Sequence, residues 1–378
     1  MISDFNNILL IQLGDIGDVV LTTPTIRAVK ETYPDARVSI MVRKPFGNLL
    51  AADPNLYAVI ESSRPHGTAL HVVREYAAFA LRLRRARYDL VIDLRTGDRG
   101  AILTFITGAK ERIGRPSGTK QFWHNLMFTK LARSPMLNPF AHPGADQSLR
   151  IVRELGIDTT NSIPQLYVSH NDTARALALL TDCGLAPDTR WVTINPFSRW
   201  KYKEWGVVKW AEFIDLLWER HRIHSVLIGS QEEAVGCEGI VKSRESRAFN
   251  LAGKTTLGEL AALLSMTSLH LGVDSAAPHI AAAFGKPTVT IHGPSDWRGW
   301  SIVDDLHKIA ASSMECVPCN RRGCDDSGTS RCLEQLKVEA VMGIVENVLR
   351  KLATKSPAPN VYGNAVMPAS CNISLDAA

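Results

Sequence analysis

Uninterrupted apolar runs recur along the chain at residues 8–13, 38–42 and 90–93, with a weaker one at 112–114. They return at residues 191–195, 225–229, 269–273 and 288–292. Between the runs, apolar positions fall at helical spacing with polar residues on the other face. A strand that stays apolar at every position is one buried on both sides, and parallel sheets covered by helices are where such strands occur. Runs alternating with amphipathic helices therefore predict an α/β fold with right-handed crossovers. Two sets of runs predict two doubly wound, Rossmann-like domains facing across a cleft, with ligands outside the carboxyl ends of the strands. Signals thin between residues 165 and 190, so a first domain is expected over 1–175 and a second over 176–335. A final helix (336–355) would pack on the body. The tail 356–378, rich in Pro, Ala, Asn and Ser, is expected to be disordered.

Composition narrows the class. At 378 residues, 45% hydrophobic and 21% charged, the chain has the make-up of a soluble globular protein of two ordinary domains. No run approaches the ~18–20 apolar residues of a membrane span, and the start lacks a signal-peptide layout, so cytoplasmic residence is the expectation. The net charge of +5 is uneven: residues 1–185 hold 22 Lys+Arg against 17 Asp+Glu, and the remainder holds 21 of each. The excess is densest at Arg82, Arg84, Arg85 and Arg87, followed by Arg95, Arg99, Arg112 and Arg115. A basic first half suits a phosphorylated substrate or an anionic membrane face, although a solvated helix face explains Arg82–Arg87 alone equally well. No nucleic-acid-binding motif accompanies the patch, so no nucleic acid partner is expected.

Three turns carry candidate chemistry. The chain opens ILLIQLGDIGDVVLTTPTIRAVKETYP: a buried strand runs through Gln12 into Gly14 and Gly17, then Asp18 and a helix. The glycines permit a tight turn with room for a ligand against the backbone, but they are not the G-x-G-x-x-G of a nicotinamide enzyme. Asp18 would face the cleft as a proton acceptor; an N-cap aspartate is the plainer alternative. Pro24 either kinks one helix or begins a second one capped by Thr23. In the second half, WVTINPFSRWKYKEW places Ser198, Arg199, Lys201 and Lys203 in a loop after a strand, where hydroxyl and cationic groups suit phosphate oxygens. The stretch LHLGVDSAAPHIAAAFGKPTVTIHGPSDWRGW reads as strand, turn, helix and strand, leaving backbone N–H groups at Asp274–His279 to meet an anion. Two anion-friendly turns in one domain imply a diphosphate. After the strand ending at Gly229, Glu232 or Glu233 could accept ribose hydroxyls, or either could start a helix.

Together the Gly14–Thr23 turn, the NPFSRWKYKEW loop and GVDSAAPHIAAAFGKPTVTIHGPSDWRGW resemble the lipopolysaccharide heptosyltransferases of glycosyltransferase family nine, most of all their heptosyltransferase III branch. The resemblance spans roughly residues 5–350. It implies a GT-B fold, an ADP-heptose donor and a lipid-linked, phosphorylated saccharide acceptor in the lipopolysaccharide inner core, met by a peripheral enzyme at the inner face of the cytoplasmic membrane. It places the proposed base on Asp18, the phosphate-holding lysine on Lys203, the ribose acid on Glu232 or Glu233, and the donor-phosphate turn on Asp274, Ser275, Ala276 and His279. Many family members carry Lys or Arg where this chain has Gln12, so a cationic contact to the acceptor is expected to be missing. The alternatives are a GT-B transferase with another acceptor, protein included, or another nucleotide sugar, and a non-catalytic nucleotide-sugar binder.

The expected mechanism is inverting, with Asp18 as base and Lys203, Arg199 and the Ser275–Ala277 turn neutralising the leaving diphosphate without an obligatory metal or cofactor. Cys316, Cys319, Cys324 and Cys332 are spaced C-x2-C-x4-C-x7-C. Such crowding suits reduced thiols or a structural zinc, but only the first pair has zinc-like spacing. No chemistry is assigned to them. A structural clamp, distant in sequence from the ligand turns, is expected, with zinc the less favoured form of it.

Overall fold

The computed structural model describes residues 5–118, 122–135, 142–186, 189–242, 244 and 247–354. The first sheet is built from β1 (Asn7–Gln12), β2 (Arg37–Arg43), β3 (Ala58–Ser62), β4 (Leu90–Asp93), β5 (Glu111–Gly114) and β6 (Lys130–Leu131). The second is built from β7 (Trp191–Asn195), β8 (His224–Leu227), β9 (Ala248–Asn250), β10 (His270–Val273), β11 (Thr288–His292) and β12 (His307–Ala311). Their orders are β3-β2-β1-β4-β5-β6 and β12-β11-β10-β7-β8-β9, parallel throughout. Both halves thus have the same doubly wound order, with a topological switch point between β1 and β4 in one and between β7 and β10 in the other.

The apolar runs form strands because both faces of each sheet are covered. Ile8 and Leu10 of β1 pack into the core beneath α2 (Thr23–Thr32) and α6 (Pro143–Val152). Leu9 and Ile11 pack with Met41, Val91 and Leu103 on the opposite face. The remaining helices are α1 (Ile16–Leu21), α3 (Ala69–Arg85), α4 (Asp98–Ile106), α5 (Phe122–Leu126), α7 (His170–Asp182), α8 (Val207–His221), α9 (Ala234–Val241), α10 (Leu257–Met266), α11 (Ala277–Ala283), α12 (Arg331–Gln335) and α13 (Val338–Thr354). The final helix α13 packs on α8 and β12. Helix α7 packs on α10, and we propose that the join between the halves lies ahead of it, before residue 170 rather than at 175. The tail 356–378 lies outside the described residues.

Four strands escape the apolar-run reading: β3, β6, β9 and β12, the two edges of each sheet. They are partly exposed and carry polar residues. Pro24 begins a second helix, but the residue at its N-cap position is Thr22, not Thr23. The Thr22 hydroxyl is already committed, donating to the Asp18 carbonyl at 2.8 Å.

Candidate active site

At the first switch point, buried Gln12 organises the turn that follows β1. Its Oε1 accepts from the Gly14 amide (3.1 Å) and its Nε2 donates to the Thr22 hydroxyl (2.7 Å). A Cβ on Gly14 would lie 2.4 Å from Asp18 Oδ2, so only glycine lets that carboxylate fold back over the turn. There Oδ2 accepts from the Asp15 amide at 2.8 Å, completing a reciprocal cap on α1. Asp18 Oδ1 meets Arg95 Nη1 at 2.7 Å. Arg95 comes from the loop after β4, on the other side of the switch point, where its amide donates to Asp93 Oδ1 at 3.1 Å. Asp93 is wholly buried, and burial pushes its carboxyl up to about 8. Gly100 of α4 makes room for it, since a Cβ there would stand 2.4 Å from Asp93 Oδ2.

The second switch point is built from neutral groups and one tight ion pair. Ser275, after β10, donates to Asn195 Oδ1, at the end of β7, at 2.5 Å. Asn195 Nδ2 in turn donates to the Ile228 carbonyl at 3.2 Å. Ser198 donates to the Asp274 carbonyl at 3.4 Å. Lys203 Nζ sits 2.6 Å from Asp274 Oδ2, both side chains mostly buried. Burial alone would raise the Asp274 carboxyl, but His292 and the charge and hydrogen bond of Lys203 outweigh it and leave the pKa below its ordinary value. His279 is kept below its ordinary pKa by burial although Asp274 and Asp18 both face it. Burial likewise holds His292 down at about 4. Both rings are neutral at pH 7.

The two switch points are packed together. Helices α1 and α11 lie against each other, and a Cβ on Gly17 would come within 3.4 Å of the His279 ring. Across the gap Arg199 Nη2 reaches Asp15 Oδ1 at 3.4 Å, and Arg43 bonds the same carboxylate. Between them opens a cavity of about 440 Å³. Gly17, Asp18, Ser198, Arg199, Lys203, Asp274, Ser275, Ala276 and His279 all face it. A second cavity of about 230 Å³ shares Asp18 and Trp300 with the first and is lined by Gln12, Arg95 and Arg115.

Gly14 lines neither cavity, and neither do Glu232 and Glu233. Glu233 holds the N-cap position of α9 and its carboxylate accepts from the Ser230 amide at 2.8 Å, whereas Glu232 is exposed. Two expectations change in space. Gln12 removes a cation, yet Arg95 and Arg115 supply two to the same cavity from the ends of β4 and β5. The cysteine segment is remote in sequence but not in position. Asn320, next to Cys319, lines the main cavity, Arg322 lies over the Trp200 ring, and Ser330 donates to the Tyr202 carbonyl at 2.7 Å. Cys316, Cys319, Cys324 and Cys332 are free thiols, and among the described residues no group of three or more His, Cys, Asp or Glu is arranged to hold a metal ion.

The family model for glycosyltransferase family 9 (heptosyltransferase) matches residues 76–329. The chain belongs to that family. Lipopolysaccharide heptosyltransferase 3 of Escherichia coli K12 is 30% identical over 345 residues, covering 88% of this chain and 95% of that protein. A family 9 glycosyl transferase from Veillonella parvula superposes with a TM-score of 0.78 at 20% identity, over 93% of this chain and 99% of that one. An E. coli heptosyltransferase solved with ADP-2-deoxy-2-fluoro heptose gives 0.67 at 20%, over 90% and 99%. This family 9 enzyme is a glycosyltransferase of GT-B fold.

Sequence reasoning missed several residues brought together here: Asp15, Phe46, His292, Trp300 and Asn320 in the main cavity, and the partnership of Arg95 with Asp18. Asp93 ends the apolar run 90–93 and Arg95 follows it, so the strand-end rule applied to β4 reaches both. Trp300 and Asn320 come from irregular segments with no such signal.

Proposed function

We propose that the protein is an inverting transferase that moves heptose from ADP-heptose to a phosphorylated saccharide of the lipopolysaccharide inner core, working at the cytoplasmic face of the inner membrane. The observation that carries this reading is a single cavity whose two walls are the two switch points, one offering a carboxylate and the other a phosphate-sized set of polar groups. Asp18 takes the proton from an acceptor hydroxyl. The freed oxygen attacks the anomeric carbon while the bond to the diphosphate oxygen breaks on the opposite face, and ADP carries the electron pair away. Lys203, Arg199, Ser198 and the Ser275–Ala276 backbone meet the charge that grows on the diphosphate. Asp274 is a positioning residue, since its ion pair orients Lys203 before the donor arrives. Glu232 or Glu233, beyond β8, would receive the ribose hydroxyls.

The acceptor enters from the smaller cavity, where Arg95 and Arg115 face Gln12 and Asp18. Two guanidiniums suit a phosphate or carboxylate on the acceptor sugar. Incubating the purified protein with ADP-heptose and lipopolysaccharides of graded core length tests the reading: one truncation should gain a single heptose. No transfer to any of them, with ADP-heptose still bound, would overturn it.

A further inference from the structure

Helix α3 is built against the usual logic of a surface helix. It runs seventeen residues, yet only Leu83 is buried. Leu70 is 71% exposed and Val73 63% exposed, and Tyr76 and Leu81 are about half exposed. Leu70, Val73, Ala77 and Leu81 fall at helical spacing on one outward stripe. Arg74 and Arg85 border it, both exposed. On its other side α3 forms a groove with α4 of about 750 Å³, with Phe79, Ile102 and Ile106 in its walls and Lys44, Arg64, Arg82 and Arg99 around them. Glu61 and Glu75 also line the groove, but Glu61 already accepts from the Gly47 amide at 2.8 Å. Arg99 is fixed by Ser62 Oγ (2.8 Å) and the Ser63 carbonyl (2.7 Å). Ile102 and Phe105 of α4 extend the exposed apolar surface.

We propose that the outer face of α3, with the groove it shares with α4, is the surface on which this enzyme rests against an anionic phospholipid bilayer. Apolar side chains ringed by arginines match an interface of acyl chains under phosphate headgroups: the stripe buries shallowly while the guanidiniums pair with phosphates. A protein partner would need no such cationic border. The place is apt as well. Arg43 bonds Asp15 and lies over the Phe46 ring, both at the main cavity, and the next residue, Lys44, lines the groove. A cationic surface therefore leads from the membrane-facing groove to the sugar-transfer cleft. The proposal rests on the proposed function only in taking the acceptor to be lipid-linked.

The test is co-sedimentation of the full chain with vesicles of phosphatidylcholine alone and of phosphatidylcholine mixed with phosphatidylglycerol. Binding should require the anionic lipid and weaken with salt. Arg74→Ala/Arg85→Ala should lower partitioning by about twenty-five-fold, at about fivefold per arginine. Leu70→Glu/Val73→Glu should lower it by at least about tenfold. These positions are exposed, so thermal melting should be unchanged, and transfer to a water-soluble saccharide acceptor should stay at wild-type rate while transfer to a vesicle-borne one falls. Equal binding to neutral vesicles, or variants that bind as wild type does, would overturn the proposal. So would a concentration-dependent dimer abolished by the same substitutions, since the stripe would then be a contact between copies. Vesicle binding with no transfer to any acceptor would leave this surface standing and sink the proposed function instead.

Discussion

The two halves share one strand order and one kind of crevice, yet the crevices hold opposite chemistry. At β1/β4 the polar groups are charged: Asp18 is paired to Arg95, and Asp15 to Arg43 and Arg199. At β7/β10 they are mostly neutral and turned toward backbone: Ser275 on Asn195, Asn195 on a carbonyl, and two histidines kept uncharged by burial. The one charged pair there, Lys203–Asp274, is mostly buried. Topology decides where a ligand goes, and side chains decide what it is. A carboxylate held over a glycine turn can move a proton, whereas hydroxyls and backbone amides around a pre-set lysine can receive a dianion.

The sharpest way to break this comparison is to remove the base. Asp18→Asn should cut transfer by roughly 10²–10⁴-fold while leaving ADP binding nearly intact, because the donor groups belong to the other half. Turnover within about tenfold of wild type would show that the charged crevice is not where the proton goes.

Lys203→Ala should weaken ADP binding by about 1.5–3 kcal/mol, the scale of a charge-assisted hydrogen bond. AMP, lacking the second phosphate, should lose less. Asp274→Asn keeps Lys203 and removes only its anchor, so its loss should be smaller than that of Lys203→Ala. Titration calorimetry that found equal losses for AMP and ADP would move Lys203 away from the β-phosphate.

Arg115→Ala separates the acceptor from the donor. It should raise the KM for a phosphorylated acceptor by about tenfold, as expected for a lost charge-assisted contact, with little change in ADP affinity. A change in ADP affinity as large as that in acceptor KM would mean that the two cavities are one site.

Much of this comparison was legible in the chain. The inner four strands of each sheet announce themselves because both faces are buried, and so do the turns that end β1, β7 and β10. The edge strands do not, because half their positions face solvent and the alternation needed to reveal them is too short. At the site, the residues that a strand-end rule reaches, such as Asp18, Ser275 and Lys203, could be named in advance. Their partners could not. Arg95 and Asp18 are 77 positions apart in the chain and meet because β4 lies beside β1, and Arg199 and Asp15 stand in different halves that the packing of α1 on α11 brings together. The thiol segment shows the same limit, since it lies beside the Trp200 loop that precedes it by more than a hundred positions.

The smallest effect concerns stability, and its pH dependence has one sign for the buried Asp93 and the other for the buried histidines. Asp93, in the first half, has its carboxyl raised from 3.8 to about 8 by burial. Between those values the folded chain holds a proton that the unfolded chain has released, so stability falls as pH rises through this window. His270 and His292, in the second half, are lowered from 6.5 to about 3 and about 4, and His142 of the first half to about 4. Below pH 6.5 the unfolded chain gains protons that these folded rings refuse, so their contribution to stability is lost as pH drops toward 4. The buried histidines, with His279 and His307 also lowered by burial, outweigh Asp93 on the acid side, and they cease to act only when the unfolded histidines are deprotonated, about one pH unit above 6.5. Stability to urea should therefore peak at about pH 7, and Asp93 should make it decline above about pH 7.5. Asp93→Asn retains an oxygen for the Arg95 amide and has no proton to lose, so between about pH 7.5 and about pH 8.5 its unfolding midpoint should fall less than that of the wild type, with transfer activity little changed. A wild-type midpoint that falls no more than the variant's over this window would mean that Asp93 is not a protonated buried acid, and that Arg95 is seated by a carboxylate instead.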